Sequence, residues 1–203
     1  MAKGSSGIGN NNISPYLEGY IKNNPWLEEM PEKSRKAIID NFNNMPDEKK
    51  FYYSLTEQEQ SALMKMQVNT KLVNQLMSGR DTDIPDSKKT ELNEEITLVK
   101  SAIGKYQLQE PMTVYRGVGK QEFDNIMEGG MTESFKSTST DRNRAESFAK
   151  NQGGYIVEYR TSPGVRIANV DGVPGANEKE MLLDSGVKYK RVVRNGNRVI
   201  IDL

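Results

Sequence analysis

Pro111-Met112-Thr113-Val114-Tyr115-Arg116-Gly117-Val118 marks the place where the chain changes period. From here on apolar residues recur about every second position, the spacing of a half-buried strand, whereas before it they recur at the three- and four-residue steps of a helix. Residues 112–118, 154–161, 165–170, 178–184, 189–194 and 197–203 read as short strands bounded by Gly, Pro or Asn. Asn195-Gly196 between the last two is a hairpin signal, because such two-residue turns need positive φ. Short helices near 120–128 and 141–151 interrupt the strands.

Upstream of this point, Ser14-Pro15 opens a helix carrying Leu17, Tyr20 and Ile21, and Pro31 opens a second with Ile38, Ile39 and Phe42. Thr56-Glu57-Gln58-Glu59 has the form of a capping box, in which Thr56 and Glu59 satisfy each other's free amides. The helix that follows repeats Leu63, Met66, Val73 and Leu76 until Gly79 stops it. A further helix from about Asp86 carries Leu92, Ile96, Val99 and Ile103 on one stripe, which predicts packing against one surface. Met64, Met66 and Met77 on these helices read as core filler. Helices first and strands after predict an α+β domain.

Composition narrows the chemistry. The 203 residues hold 28 Lys and Arg against 28 Asp and Glu, with no Cys and no His. Zero net charge removes the excess of cations that bulk capture of nucleic acid or an anionic membrane requires. Without Cys or His there is no thiolate nucleophile, no Ser-His-Asp triad and no ordinary zinc site, so chemistry rests on carboxylates, hydroxyls, Lys, Arg or backbone. A hydrophobic share of 35% and a mean hydropathy of −0.74 are low, yet the apolar residues fall into periodic segments, which predicts a modest core and not general disorder. No apolar run approaches the roughly 20 residues that span a bilayer, so no membrane insertion is expected. Residues 1–13, rich in Gly, Ser and Asn, read as a flexible tail or linker without a signal peptide, joining this piece to more sequence.

Three features of the strand-rich part can carry chemistry. Tyr115-Arg116-Gly117 ends a strand, where an Arg reaches phosphate or ribose and a Gly lets a ligand approach the backbone, although a lone strand Arg is commonly a solvated surface residue. Ser137-Thr138-Ser139-Thr140 precedes a helix, where hydroxyls often serve as caps. Glu178-Lys179-Glu180-Met181-Leu182-Leu183 opens a strand in which Glu178 and Glu180 share one face. Two carboxylates so close repel, unless a ligand or hydrogen-bond network uses them. An exposed acidic edge is the alternative.

In this order the three features resemble the arginine-specific mono-ADP-ribosyltransferases, the R-S-E class, which includes the catalytic chains of the clostridial binary actin-modifying toxins. The resemblance spans roughly residues 55–203 and takes in Leu55-Thr56-Glu57 and Phe148-Ala149-Lys150. It implies a helical lobe over 14–108, packed on a mixed, mostly antiparallel two-sheet core over 112–203, with an NAD cleft between the sheets. It implies that Arg116 contacts the phosphate and ribose of NAD, and that the Gly117 backbone receives the carboxamide. Ser137, Thr138 and Ser139 join the NAD-binding set, with Ser137 orienting Glu180. Glu180 would stabilise the cation formed as nicotinamide leaves, and Glu178 would help deprotonate an acceptor arginine.

The reaction implied is transfer of ADP-ribose from NAD, as substrate, to an arginine of a target protein, with no metal. A secreted or delivered bacterial or phage toxin or effector fits the resemblance, monomeric, with delivery or immunity partners supplied elsewhere. An NAD glycohydrolase using the same site and a non-catalytic partner-binding module are the alternatives. The loop Asp171-Gly172-Val173-Pro174-Gly175-Ala176-Asn177 lacks the aromatic that touches the target in actin-directed members, so actin is not implied. Arg144 and Lys150 are pyrophosphate candidates, with a solvated helix face as the alternative.

Overall fold

The computed structural model describes residues 14–175 and 179–203. Proline and one capping box set most helix starts. Pro15 begins α1 (Pro15–Asn23), and Pro25 begins a 3₁₀ turn (Pro25–Glu29). Pro31, Pro46 and Pro85 stand just before α2 (Glu32–Asn43), α3 (Asp47–Tyr53) and α5 (Asp86–Gly104). In α4 (Glu57–Met77) the expected box is complete: the Glu59 amide donates to Thr56 Oγ1 at 3.3 Å, and the Thr56 amide donates to Glu59 Oε2 at 2.9 Å. The same carboxylate receives Lys105 and Ser101 from α5 and beyond, so one cap also ties α4 to its neighbour.

The strand-rich part runs β1 (Met112–Val118), α6 (Lys120–Glu128), β2 (Lys136–Ser139), α7 (Arg142–Gln152), β3 (Tyr155–Thr161), β4 (Ile167–Asn169), β5 (Glu180–Leu183), β6 (Arg191–Asn195) and β7 (Arg198–Asp202). The order across the sheet is β4-β5-β2-β1-β3-β7-β6, with β3 and β7 parallel and the remaining neighbours antiparallel. The two sheets expected from the sequence are therefore two halves of one seven-stranded sheet. They meet only at β1 and β2, through the single register pair Tyr115↔Ser139, whereas β1 and β3 pair along seven residues. The hairpin also differs by one residue: Asn195 pairs with Arg198, so the turn residues are Gly196 and Asn197, with Gly196 at φ 61.

Two cores sandwich the sheet. Leu63, Met66 and Val73 of α4 and Leu92, Val99 and Ile103 of α5 bury against Phe135, Ala168 and Leu182, which holds the helical lobe on one face of β4 and β5. Met181 and Leu183 point the other way, into a core with Val114, Val157, Phe123 and Ile201. The alternation expected along Met181-Leu182-Leu183 thus has apolar partners on both sides. Met66 is buried as expected, while Met64 is half exposed and its sulfur accepts the Tyr52 hydroxyl. Among the described residues no helix is long and apolar enough to cross a membrane.

Candidate active site

Where β1 and β2 diverge from their one shared pair, a cleft of 680 Å³ opens. Tyr115, Arg116 and Gly117 line it from β1, Ser137, Thr138 and Ser139 from β2, and Glu180 from the first position of β5. Every described residue singled out from the three motifs as a site residue lies on this one cavity. The volume is within the range of small-molecule and cofactor sites. A larger cavity of 820 Å³ lies between α4 and α5 but holds none of these groups, so chemistry and not size selects the cleft.

Register defines how the acid and the hydroxyls meet. Glu180 pairs directly with Ser139, while Ser137 pairs with Leu182 and is Glu180's diagonal neighbour on the same face. The Thr138 hydroxyl donates to the Met181 carbonyl at 2.6 Å and is thereby committed to the strand pairing. Asp171 reaches back so that its Oδ1 accepts the Glu180 amide at 2.8 Å, which fixes the start of β5. Lys179 precedes Glu180 with φ 51, a left-handed conformation that ends the strand's alternation at that residue. The expectation for Glu178 lies outside the described residues.

Arg116 is held from behind the cleft. Its Nε and NH2 donate to Glu122 Oε1 and Oε2 at 3.1 and 3.2 Å, and its NH1 donates to the Ser137 carbonyl at 2.8 Å. Lys136 Nζ adds a bond to Glu122 Oε1 at 3.1 Å. Burial alone would push the Glu122 carboxyl up, but the charges of Arg116 and Lys136 hold it below the usual carboxylate range. Burial likewise pulls on Arg116, and Glu122, with a smaller contribution from Glu180, keeps its guanidinium above its ordinary value. Both groups stay charged.

Gly117 has a second reason to be glycine. A Cβ there would stand 2.2 Å from the Ala145 carbonyl oxygen and 2.5 Å from the Ala149 amide, because α7 crosses directly over β1. Gly172, in the loop before β5, meets α3 in the same way: its Cβ would lie 2.1 Å from the Glu48 carbonyl oxygen. The helical lobe thus braces the segment that carries Asp171 and leads to Glu180.

Of the two pyrophosphate candidates, Arg144 lines the cleft and Lys150 is exposed outside its lining. Sequence reasoning missed Glu122, Gln67 and Thr70. The last two reach the cleft from α4, where polar residues beside a buried stripe look like ordinary helix surface. Glu122 had no motif to mark it.

Residues 40–202 match the family of ADP-ribosyltransferase exoenzymes. The chain belongs to this family. A curated relative, the NAD(+)--arginine ADP-ribosyltransferase EFV of Enterococcus faecalis, is 34% identical over 97 residues, covering 43% of this chain and 19% of the relative's own length. Solved structures of the family's fold superpose closely enough to share the architecture. Plx2a, a toxin from Paenibacillus larvae, matches with a TM-score of 0.57 at 19% identity, over 80% of this chain and 94% of that one. The Vis toxin of Vibrio splendidus gives 0.56 at 22%, over 85% of each chain. The enzymatic component C2-I of the Clostridium botulinum C2 toxin gives 0.55 at 23%, over 74% of this chain and 44% of that one. ADP-ribosyltransferases take NAD as substrate, and the α+β architecture described above is theirs.

Proposed function

We propose that this ADP-ribosyltransferase domain transfers ADP-ribose from NAD to an arginine side chain of a target protein and releases nicotinamide. One observation carries the reading: Arg116, Gly117, Ser137, Ser139 and Glu180, from three different strands, line a single cleft. The arginine acceptor is supported by the name of the Enterococcus faecalis relative and by a Vis structure in complex with agmatine, a small guanidinium compound.

In this reading the bond between the ribose anomeric carbon and the nicotinamide nitrogen breaks, its electron pair leaving with nicotinamide. The positive charge left on the sugar is shared between the anomeric carbon and the ring oxygen, and the Glu180 carboxylate stabilises it, as carboxylates do in glycoside hydrolysis. A guanidinium nitrogen then forms the new bond to the anomeric carbon and gives up a proton. Glu178 takes that proton, because an arginine side chain stays protonated and is a poor nucleophile until a base removes the proton. Ser137 and Ser139 hold the Glu180 side of the cleft, and Gly117 offers backbone to the carboxamide. Arg116 meets the phosphate and ribose of NAD, and Arg144, on the same cleft wall, adds positive charge for the diphosphate. The chain acts as the catalytic part of a monomeric toxin or effector, secreted or delivered into a target cell, with delivery and immunity partners outside this sequence.

The test is mass spectrometry of the products formed from NAD with and without agmatine. ADP-ribosyl-agmatine is the expected product. Free ADP-ribose alone would turn the reading towards an NAD glycohydrolase, and no release of nicotinamide would leave a binding module.

A further inference from the structure

We propose that Glu122 is a positioning residue for this reaction: it sets the cleft by stapling β1 to β2 through Arg116 and Lys136. The inference rests on the transferase reading and adds a residue to it. The sheet is weakest where the cleft lies, since β1 and β2 share one register pair. Past that pair the two strands are joined by side chains, not by the ladder. Arg116 of β1 crosses the gap to the Ser137 carbonyl, and Lys136 is the first residue of β2. Both donate to the same carboxylate, so Glu122 holds one cation from each side of the seam.

Glu122 does not line the 680 Å³ cleft; it sits with Lys136 around a separate polar pocket of 180 Å³ on the far side of Arg116. Arg116 lines both spaces and is the partition between them. Glu122 therefore acts through Arg116. Fork-to-fork pairing fixes the plane of a guanidinium as well as its place, which a single hydrogen bond would not do. Without the carboxylate, the Arg116 guanidinium loses the two bonds that fix its plane at the cleft wall.

The sign of the effect separates this role from plain electrostatics. NAD is an anion, so removing a negative charge near its site would by charge alone tighten its binding. A positioning role predicts the opposite. Nicotinamide release in the presence of agmatine, read as kcat and KM for NAD, is measured for wild type, Glu122→Gln, Arg116→Lys and the double variant, with NAD affinity by calorimetry alongside. Glu122→Gln is expected to lower kcat/KM at least tenfold, mainly through KM, and to weaken NAD binding. Glu122→Asp, which keeps the charge with a shorter reach, recovers part of the loss. In the Arg116→Lys background, which has no fork to hold, Glu122→Gln is expected to cost less than twofold.

Wild-type kinetics in Glu122→Gln, tighter NAD binding, or the same loss in both backgrounds would overturn the inference while leaving the transferase reading intact. A wild-type chain that neither binds nor turns over NAD overturns both. Circular dichroism melts establish that each variant is folded, and if Glu122→Gln is not, the same cycle is run with Glu122→Asp, where equal losses in the two backgrounds again overturn it.

Discussion

Gly117→Ala separates two reasons for a glycine in the cleft, and its outcome can be worked from distances. The added Cβ would lie 2.2 Å from the Ala145 carbonyl oxygen and 2.5 Å from the Ala149 amide, both backbone atoms of α7. Relief of these overlaps requires α7 to move about 1 Å from β1, since neither atom sits on a flexible side chain. Overpacking of this kind costs about 1–3 kcal/mol. In a domain of this size each kcal/mol lowers Tm by about 2–4 °C. The expected fall in Tm without ligand is therefore about 2–12 °C. The displaced helix carries Arg144 and Phe148 on the cleft wall, so turnover should fall about 100-fold, the scale of a 1 Å misplacement. Gly130→Ala is the control, because its Cβ would meet nothing within 4 Å. Thermal melts without NAD and nicotinamide release with agmatine provide the two readouts. If glycine were needed only for a ligand to approach, Gly117→Ala would keep the wild-type Tm, and that result would refute the packing argument.

The remaining expectations concern the acid, its brace and the helical lobe. Glu180→Gln should lower nicotinamide release at least 100-fold with little change in Tm, and activity within tenfold of wild type would remove Glu180 from its proposed role. Gly172→Ala should push the loop before β5 away from the Glu48 carbonyl, lowering Tm by a few degrees and turnover about tenfold or more; unchanged turnover would show that α3 does not brace this loop. Glu95 is buried between α4 and α5, with Asn69 donating to Oε2 and Oε1 without a hydrogen-bond partner among the described residues. Burial pushes its carboxyl above the ordinary 4.5. A raised value in the folded state means that the group's contribution is fully present below pH 4.5 and is lost as pH rises through the raised value. Glu95→Gln should thus melt about 2–4 °C above wild type at pH 7 and converge with it near pH 4, whereas a difference that grows on acidification would reverse the assignment.

Legibility followed the physical signals available. Helix starts were readable because Pro and the Thr56–Glu59 box act locally, and α4 and α5 were readable because Leu63, Met66 and Val73 and Leu92, Val99 and Ile103 all face one core. By contrast, α3 has only seven residues and announces itself by no repeat. β2 is the clearest omission. Lys136-Ser137-Thr138-Ser139 has no apolar alternation, because its buried positions are polar groups with partners of their own: Thr138 the Met181 carbonyl on the next strand and Lys136 the Glu122 carboxylate on α6. A hydrophobic period cannot detect such a strand. Two sheets were expected where there is one, since strand membership depends on the lone Tyr115↔Ser139 pair, and a single pair leaves no trace in sequence.

The gathering of the candidate residues around one cleft was legible for a different reason. Arg116, Ser137 and Glu180 are far apart in the chain but belong to β1, β2 and β5, which are adjacent in the order β5-β2-β1. The order of the motifs therefore stands in for a spatial row. What no motif could supply is the support. Glu122 comes six positions after Arg116 through a strand end and a helix start, a spacing with no common period, and Gly172 is glycine because of a carbonyl in α3. Groups proposed to meet a ligand are constrained in chemical type, so they can be recognised as residues in a sequence. Groups that hold them are constrained only in place, and a carboxylate or a missing Cβ serves from wherever the fold delivers it. Glu122 is such a group: the ladder between β1 and β2 carries one pair, side chains join the strands beside it, and their network closes on one carboxylate.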